Sequence, residues 1–293
     1  MKITNLLGLP QPLVDAVTND PYTGGVGADI SVTRLIQPPR KVALEKLHRE
    51  EMVEDAADRI YALCGQIGHL ILERAALRNI VEHRFYTQVG GWTISGQCDI
   101  MTDNPFTLLD YKFTSSYTVK GGIKDEWIQQ LNLLAMLSRA NGYDVTAAQI
   151  VCIFRDWSVM EAKRDSSYPQ KQVMLFKIPL WTNEAASNYA FTRVRMHQQA
   201  QEGQLPECTA EERWSRPPKW AVMKPGRKRA VKLHDNPDDA EAHAFELGKG
   251  HYAETRPVQQ TRCMSYCAAS PFCEQWKKLS AALDTTAEEE EPA

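Results

Sequence analysis

Residues 95–116, SGQCDIMTDNPFTLLDYKFTSS, constrain the fold more than any other stretch of this 293-residue chain. Alternating apolar and β-branched residues predict two strands, and the sequence TDNP at 102–105 predicts the turn between them. An antiparallel hairpin of this length brings Asp99 nearly opposite Asp110. Side chains two apart on a strand share a face, so Lys112 is expected beside Asp110.

Two carboxylates that meet in a hairpin need a counter-charge. At a separation of about 4 Å their repulsion is about 4 kcal/mol at an effective dielectric constant of about 20. A divalent cation supplies that charge, and Mg²⁺ commonly binds one or two carboxylates together with phosphate oxygens and water. Lys112 would then orient or deprotonate a water that attacks a phosphodiester. The alternative is that these residues are polar groups on a solvent-facing side of the sheet.

The rest of the sequence predicts an α/β fold. Apolar residues at helical spacing predict helices over about 46–80, 124–140 and 183–202, and the first of them carries Ile60, Leu63, Ile67, Leu70 and Ile71 on one face. Strands are predicted at 83–89, 92–101, 106–113, 148–157 and 172–181. The expected order α-β-β-β-α-β-β-α is typical of a central mixed sheet flanked by helices.

Changes in composition predict four regions. Residues 1–45, rich in Pro, Gly, Asn and Asp, are expected to form an irregular N-terminal arm, and 46–205 the core. Residues 206–280 are expected to form a small β-rich accessory unit with basic residues. Within it, KWAVMKPGRKRAVKL predicts a hairpin around Lys224-Pro225-Gly226, and NPDDAEAHAFEL predicts a short helix that begins at Asn236 and Pro237. The final 281–293, ending EEEEPA, have the composition of a disordered acidic tail.

Charge and hydropathy exclude several classes of protein. No stretch of 18 apolar residues predicts a membrane span, and the N-terminus lacks the pattern of a secretory leader. The expectation from these patterns is a cytoplasmic protein. Seven cysteines, an odd number without an export signal, argue against a disulfide framework and favour metal ligation.

Three cysteines near the C-terminus form a C-x3-C-x5-C cluster: Cys263, Cys267 and Cys273. A fourth thiolate would complete a tetrahedral Zn²⁺ site or an iron-sulfur cluster. Cys208 is the favoured fourth ligand because it lies outside the predicted core, and Cys64, inside a predicted helix, is the alternative. Cys98 and Cys152 are expected to be core residues.

A basic run between Arg213 and Lys232 contains eight Lys or Arg residues and no acid, with Trp214 and Trp220 interleaved. Cations that neutralise phosphates beside aromatic faces that stack on bases are typical of a nucleic-acid surface, although such a run is often only a solvated face. The DNA-binding residues predicted from it are Arg213, Lys219, Lys224, Arg227, Lys228, Arg229 and Lys232.

The run Gly96-Gln97-Cys98-Asp99, then ten residues, then Asp110-Tyr111-Lys112 resembles the core motif of the PD-(D/E)XK nuclease superfamily, in particular its RecB-like branch with the motif G-x-x-D. The resemblance covers about residues 60–140. It implies a restriction-endonuclease-like core in which Asp99 and Asp110 ligate Mg²⁺ or Mn²⁺ and Lys112 is catalytic.

Two flanking helices extend the resemblance. GQIGHLILER resembles the G-x-x-x-H helix of the branch, with Gly65 and His69 in the matching places, which implies that His69 is a third metal ligand. WIQQLNLLAML resembles its Q-x-x-x-Y helix, which implies that Gln130 positions the lysine or the substrate. Leu134 stands where that motif has tyrosine, so the tyrosine's contact with DNA is lost or taken over by another residue.

The cysteines also resemble those of RecB-like nucleases of the AddB type and of CRISPR adaptation, which hold a 4Fe-4S cluster. Those proteins usually have C-x2-C-x5-C and a lone cysteine upstream of the histidine helix, so this chain departs from them in both respects. The resemblance favours iron-sulfur over zinc.

Together these features predict a Mg²⁺- or Mn²⁺-dependent DNA nuclease, with exonuclease action favoured, in recombination, repair or phage DNA processing. Its expected partners are linear duplex or single-stranded DNA and either a helicase or a single-strand annealing or binding protein. The alternatives are a catalytically inactive DNA-binding or scaffold protein of the same fold, and a structure-specific endonuclease.

Overall fold

The computed structural model describes residues 1–19, 25–76, 79–103 and 105–288. The chain divides into two compact units. The first unit comprises Met1–Val42 and Val53–Leu205, and the second comprises Ala43–Met52 and Pro206–Ala293. Up to residue 205 the elements are β1 (Lys2–Thr4), α1 (Gln11–Thr18), β2 (Ile30–Ser31), α2 (Val32–Leu35), α3 (Pro39–Leu47), β3 (Val53–Asp55), α4 (Ile60–Ala75), β4 (Ile80–Val81), β5 (Arg84–Val89), β6 (Trp92–Gln97), β7 (Ile100–Thr102), β8 (Thr107–Thr114), α5 (Asp125–Ala140), β9 (Ala147–Phe154), α6 (Val159–Arg164), β10 (Val173–Ile178) and α7 (Asn183–Gln201).

The first unit is a mixed α/β structure, which confirms the predicted fold class at that level. Its largest sheet has five strands in the order β10-β9-β8-β7-β4, in which β8 and β9 are parallel and the other neighbours antiparallel. A second sheet has the order β2-β6-β5, and β1 pairs with β3.

Helix α5 organises the core of the first unit. Asp125 and Glu126 lie in its first turn, where negative charge complements the helix dipole. Every residue from Leu131 to Ser138 is buried, so this half of the helix is enclosed on all sides. Cys98 and Cys152 are about 1% and 0% exposed in the same core, as the sequence predicted.

Residues 1–45 are not an irregular arm, because they contain β1, α1, β2, α2 and most of α3. Val32 and Leu35 are 2% and 0% exposed in the core, and Ser31 Oγ accepts a hydrogen bond from Arg34 N to cap α2. Burial of these apolar residues outweighs the Pro- and Gly-rich composition, which instead keeps each element short.

The range 46–80, predicted as one helix, contains the end of α3, then β3 and a 3₁₀ turn at Ala56–Arg59, and then α4. Its predicted apolar face is also wrong, since Ile67, Leu70 and Ile71 are 51%, 47% and 60% exposed. The helix turns Gly68 toward the sheet instead. A Cβ atom there would lie 2.1 Å from the Phe113 ring of β8, so glycine permits this close approach.

The second unit contains β11 (Ser215–Arg216), β12 (Lys219–Met223), β13 (Lys232–His234), α8 (Pro237–Leu247), β14 (Tyr252–Arg256), β15 (Gln259–Gln260), α9 (Thr261–Ser265) and α10 (Glu274–Glu288). The predicted hairpin is confirmed as β12 and β13, and β14 lies on the other side of β12. The helix predicted at Asn236 is also confirmed as α8, because Asn236 Oδ1 caps it by accepting from Asp239 N at 2.8 Å.

Helix α10 extends into the expected disordered tail, since it continues to Glu288. Ala281, Ala282 and Leu283 are good helix formers, which explains the continuation. Residues 289–293 of that predicted tail lie outside the described residues. No helix in the described part of the chain is long and apolar enough to cross a membrane.

Candidate active site and metal centre

A long hairpin of the first unit changes sheets at the position of Asp99. The predicted strand 92–101 is divided into β6 and β7, and its partner is divided into β4 and β5 at the same level. Two backbone hydrogen bonds span the break, from Glu82 N to Asp99 O and from Cys98 N to His83 O, both 3.0 Å long. Glu82 has a φ of 48°, which turns the chain between the two sheets.

The register of β7 with β8 confirms the predicted relation of the two aspartates. Ile100 pairs with Leu109, which places Asp99 across from Asp110. The backbone N–H of Tyr111 donates a hydrogen bond to Asp99 Oδ2 at 2.8 Å. Asn104, at the predicted turn, lies outside the described residues.

Asp110 and Lys112 lie on the same face of β8, as predicted. Lys112 Nζ is 2.7 Å from Asp110 Oδ2, and the Asp110 side chain is only 4% exposed. Lys112 Nζ also donates a hydrogen bond to Gln130 Oε1 of α5 at 3.3 Å. The three residues therefore form a chain from carboxylate to ammonium to amide.

Three potential metal ligands converge beside this pair: His69, Glu82 and Asp99. Their ligand atoms all lie within 4.8 Å of one another. His69 Nδ1 is 3.5 Å from Asp99 Oδ2 and 4.0 Å from Glu82 Oε1. All three side chains are partly open to solvent, so a cation can reach them.

The electrostatics of the site favour a neutral Asp99 until a cation is present. Burial raises the pKa of Asp99 to about 8, the Asp110 carboxylate adds to this rise, and Lys112 opposes it. For Lys112, burial acts to lower the pKa, but the Asp110 and Asp99 carboxylates outweigh it and the net direction is upward. Lys112 is thus an ammonium at neutral pH.

Sequence reasoning missed Glu82, although a signal for it was present. Gly90 and Gly91 have φ of 56° and 85°, as in a tight two-residue hairpin turn. Counting outward from the Val89–Trp92 pair across this turn brings Glu82 opposite Asp99.

Two polar side chains, Gln97 and Arg84, hold Glu82 in place. Gln97 Nε2 donates a hydrogen bond to Glu82 Oε2, and Arg84 Nη2 donates one to Gln97 Oε1. Gln97 is one of the two middle residues of the G-x-x-D motif. The adjoining Gly96 is required for packing, since a Cβ atom there would lie 2.6 Å from Leu134 Cδ2.

The predicted cysteine cluster lies in the second unit, and its sulfur atoms do not come together at ligand distances. Among the described residues, only His69, Glu82 and Asp99 form a group of three or more potential ligands within 4.8 Å of one another. Burial, followed by Cys267 and Cys273, raises the pKa of Cys263, so these three thiols are neighbours.

The other predicted cysteines have different surroundings. The Cys208 backbone is held by Gln275, which follows Cys273 by two residues. The Cys208 N–H donates to Gln275 Oε1 at 2.9 Å, and Gln275 Nε2 donates to Cys208 O at 3.0 Å. Cys64 is exposed on α4 in the first unit.

The predicted DNA-binding residues do not all belong to one surface. Arg213 is engaged inside the second unit, where it donates to Cys208 O and to Gln260 Oε1. Lys224 and Arg227 are exposed at the turn between β12 and β13. The remaining four residues line one groove: Lys219, Lys228, Arg229 and Lys232.

Comparisons with known proteins add little to this geometry. No protein-family model matches the chain, and no curated protein matches it. A solved structure described as "Crystal structure of SSO0001" is similar at a TM-score of 0.45 and 20% sequence identity, over 62% of this chain and 83% of that one. A likeness of this extent carries no argument about fold or function here.

Proposed function

We propose that this chain is a metal-dependent deoxyribonuclease with a restriction-endonuclease-like core, similar to the RecB-like branch of the PD-(D/E)XK superfamily. The observation that carries the proposal is that Asp99, Asp110, Lys112, His69 and Glu82 meet beside the middle of β8. Oxygen ligands beside a single lysine are typical of sites that bind a hard cation and a phosphate together.

The donor set fits Mg²⁺ or Mn²⁺. His69, Glu82 and Asp99 would hold the ion with Asp110 beside them, and three carboxylates with one imidazole suit a hard or borderline cation. When bound, the ion neutralises phosphate charge and lowers the pKa of a water molecule.

Lys112 has the main role among the residues of the chain itself. As an ammonium held by Asp110 and Gln130, it would offset the charge that develops on the phosphoryl oxygens and orient the attacking water. Its raised pKa argues against a role as the base that deprotonates this water. Gln130 is a positioning residue because it acts through Lys112.

A digestion assay tests this function. With Mn²⁺ and end-labelled linear DNA, the purified protein should release nucleotides, and Asp110→Asn and Lys112→Met should abolish release. Asp144→Asn and Lys177→Met change exposed residues of the first unit and should leave activity unchanged. Closed circular DNA should resist cleavage. Cutting of circles would indicate a structure-specific endonuclease, and DNA binding without any cleavage would indicate an inactive DNA-binding protein.

The cysteines of the second unit are proposed to hold a 4Fe-4S cluster, with Zn²⁺ as the alternative. Cys263, Cys267 and Cys273 are neighbours, the backbone of Cys208 is hydrogen-bonded to Gln275, which follows Cys273 by two residues, and four thiolates suit either group. The charges of Arg213 and Arg262 favour the thiolate form of Cys263, although burial outweighs them in the protein without metal. Iron, sulfide and zinc contents with the visible absorption of anaerobically purified protein decide between the two, and absence of all three would reject both.

A further inference from the structure

A groove of about 730 Å³ in the second unit collects cations from three separate parts of the sequence. Its volume falls in the range of about 300–1,000 Å³ typical of ligand sites. The cations come from β11 and the start of β12, from the loop before β13 together with its first residue, and from the end of β14: Arg216, Lys219, Lys228, Arg229, Lys232 and Arg256.

The protein neutralises only part of the positive charge of this groove. Lys219 and Arg256 lie directly opposite each other on β12 and β14, an arrangement of like charges that costs stability. Asp235 pairs with Lys219, and Glu254 pairs with Arg256 at 3.0 Å. Within the described part of the chain, none of the other four cations has a carboxylate within 4.0 Å: Arg216, Lys228, Arg229 and Lys232.

Apolar side chains line the same groove. Val231 and Leu233 are 46% and 54% exposed, and Pro217 and Pro257 lie beside them. Large apolar residues left in water among cations indicate a ligand that is both anionic and flat. In duplex DNA the bases are stacked inside the helix, so only phosphates would reach this surface. A single strand offers phosphates to the cations and base faces to the apolar side chains.

We propose that this groove binds single-stranded DNA, with phosphates on Arg216, Lys228, Arg229 and Lys232 and bases against Val231 and Leu233. The choice of DNA as ligand rests on the proposed nuclease function. The groove itself rests on the observed lining. It differs from the basic run of the sequence, since it gains Arg256 and excludes Arg213, Lys224 and Arg227.

Two double variants separate the groove from the run. Arg229→Ala/Lys232→Ala and Lys224→Ala/Arg227→Ala each remove two positive charges from exposed positions of the same loop and strand. Binding of a fluorescent oligothymidylate to the full chain is measured by anisotropy in EDTA at several salt concentrations. The groove variant should reduce the slope of log K against log salt by about 1.4, because each phosphate contact on a single strand contributes about 0.7. The control variant should leave the slope unchanged, and equal losses in both would overturn the proposal.

Leu233→Ser tests the contact with bases. It should weaken oligothymidylate binding about fourfold for each methylene that a base covers and leave the salt slope unchanged. A blunt duplex of equal length should bind less tightly and should not respond to Leu233→Ser. Tighter binding of the duplex, or equal binding of a poly-glutamate peptide, would refute a single-strand groove.

These measurements are independent of catalysis because EDTA prevents turnover. Loss of cleavage in Asp110→Asn with intact oligothymidylate binding would leave both proposals standing. Oligothymidylate binding by a protein that cleaves no DNA would reject the nuclease function and retain the groove. DNA cleavage by a protein whose oligothymidylate binding does not respond to the groove variants would retain the nuclease function and reject the groove.

Discussion

The backbone N–H of Glu82 donates a hydrogen bond to the carbonyl oxygen of Asp99 at 3.0 Å, at the level where both strands of their hairpin pass from one sheet to the next. The bond fixes two carboxylate-bearing residues at one height beside His69. Glu82 holds a φ of 48°, a conformation that costs about 1–3 kcal/mol for most residues other than glycine. Backbone strain is thus retained where three potential ligands meet.

Glu82→Gly and Glu82→Gln should separate this strain from ligation. Both remove the carboxylate and should weaken Mn²⁺ binding at least about 10-fold by calorimetry. Glycine adopts a positive φ without penalty, so Glu82→Gly should exceed Glu82→Gln in free energy of urea unfolding by about 1 kcal/mol. Unchanged Mn²⁺ affinity in both variants would remove Glu82 from the site.

The acidic hairpin was predictable because its register follows from local features. The alternation of apolar residues and the TDNP turn place Asp99 opposite Asp110. Lys112 follows Asp110 by two residues in the same strand, so it shares the face of Asp110. The turn at Gly90 and Gly91 carried a signal for Glu82, but the sequence pattern of residues 92–101 does not reveal that the strand divides between two sheets at this level. That division depends on tertiary packing, in which Gly96 lies against Leu134.

Long-range pairing explains most of the remaining differences. The basic run was visible in the sequence, but Arg256 joins the groove only because β14 pairs with β12. Periodicity on α4 suggested a buried face of isoleucines, whereas the close approach of Gly68 to Phe113 decides how the helix is turned. Leu134, at the position of the expected tyrosine, is 2% exposed in the core, so another residue would have to take the tyrosine's role toward DNA.

Asp99→Asn should stabilise the metal-free protein in a pH-dependent way. Burial and Asp110 raise the pKa of Asp99 to about 8, whereas the unfolded chain ionises Asp99 near its ordinary value of about 4. The stability that neutral Asp99 contributes is therefore full below about pH 4 and is lost as the pH rises to about 8. Asparagine stays neutral at every pH. In EDTA the melting temperature of the Asp99→Asn protein should therefore exceed that of the wild type by a margin that grows from about pH 4 to about pH 8.

The response to Mn²⁺ provides the complementary measurement for Asp99. Added Mn²⁺ should raise the melting temperature of the wild type at pH 8, because the ion binds only the folded state, and should leave Asp99→Asn unchanged. Asp144→Asn, at an exposed position, should follow the wild type in both respects. A pH-independent difference between Asp99→Asn and wild type would contradict the raised pKa.

Gly68→Ala and Gly65→Ala should change stability in opposite directions although both lie in α4. An added Cβ at Gly68 meets the Phe113 ring at 2.1 Å, whereas one at Gly65 meets no atom within 4 Å. We expect Gly68→Ala to cost about 1–3 kcal/mol by overpacking. Gly65→Ala should gain about 0.5–1 kcal/mol from helix propensity. Urea unfolding measures both, and Gly68→Ala/Phe113→Leu should recover much of the loss. A neutral Gly68→Ala would show that α4 does not approach β8 so closely.

The Asp110–Lys112 pair should couple far more strongly than an exposed ion pair of the same unit. Lys112 Nζ lies 2.7 Å from Asp110 Oδ2, with side chains 21% and 4% exposed. Lys112→Met leaves a buried carboxylate without its cation. It should cost about 2–3 kcal/mol, at or below the lower limit of the range of about 3–5 kcal/mol for broken buried pairs, because the lysine is partly exposed. Asp110→Asn/Lys112→Met should recover part of this loss, which gives a coupling energy of about 1–3 kcal/mol in a double-mutant cycle.

Lys120 and Asp165, 3.3 Å apart and 47% and 40% exposed, form the control pair and should couple by less than about 1 kcal/mol. Equal coupling in the two cycles would mean that Asp110 is hydrated, and the electrostatic role assigned to Lys112 would fail.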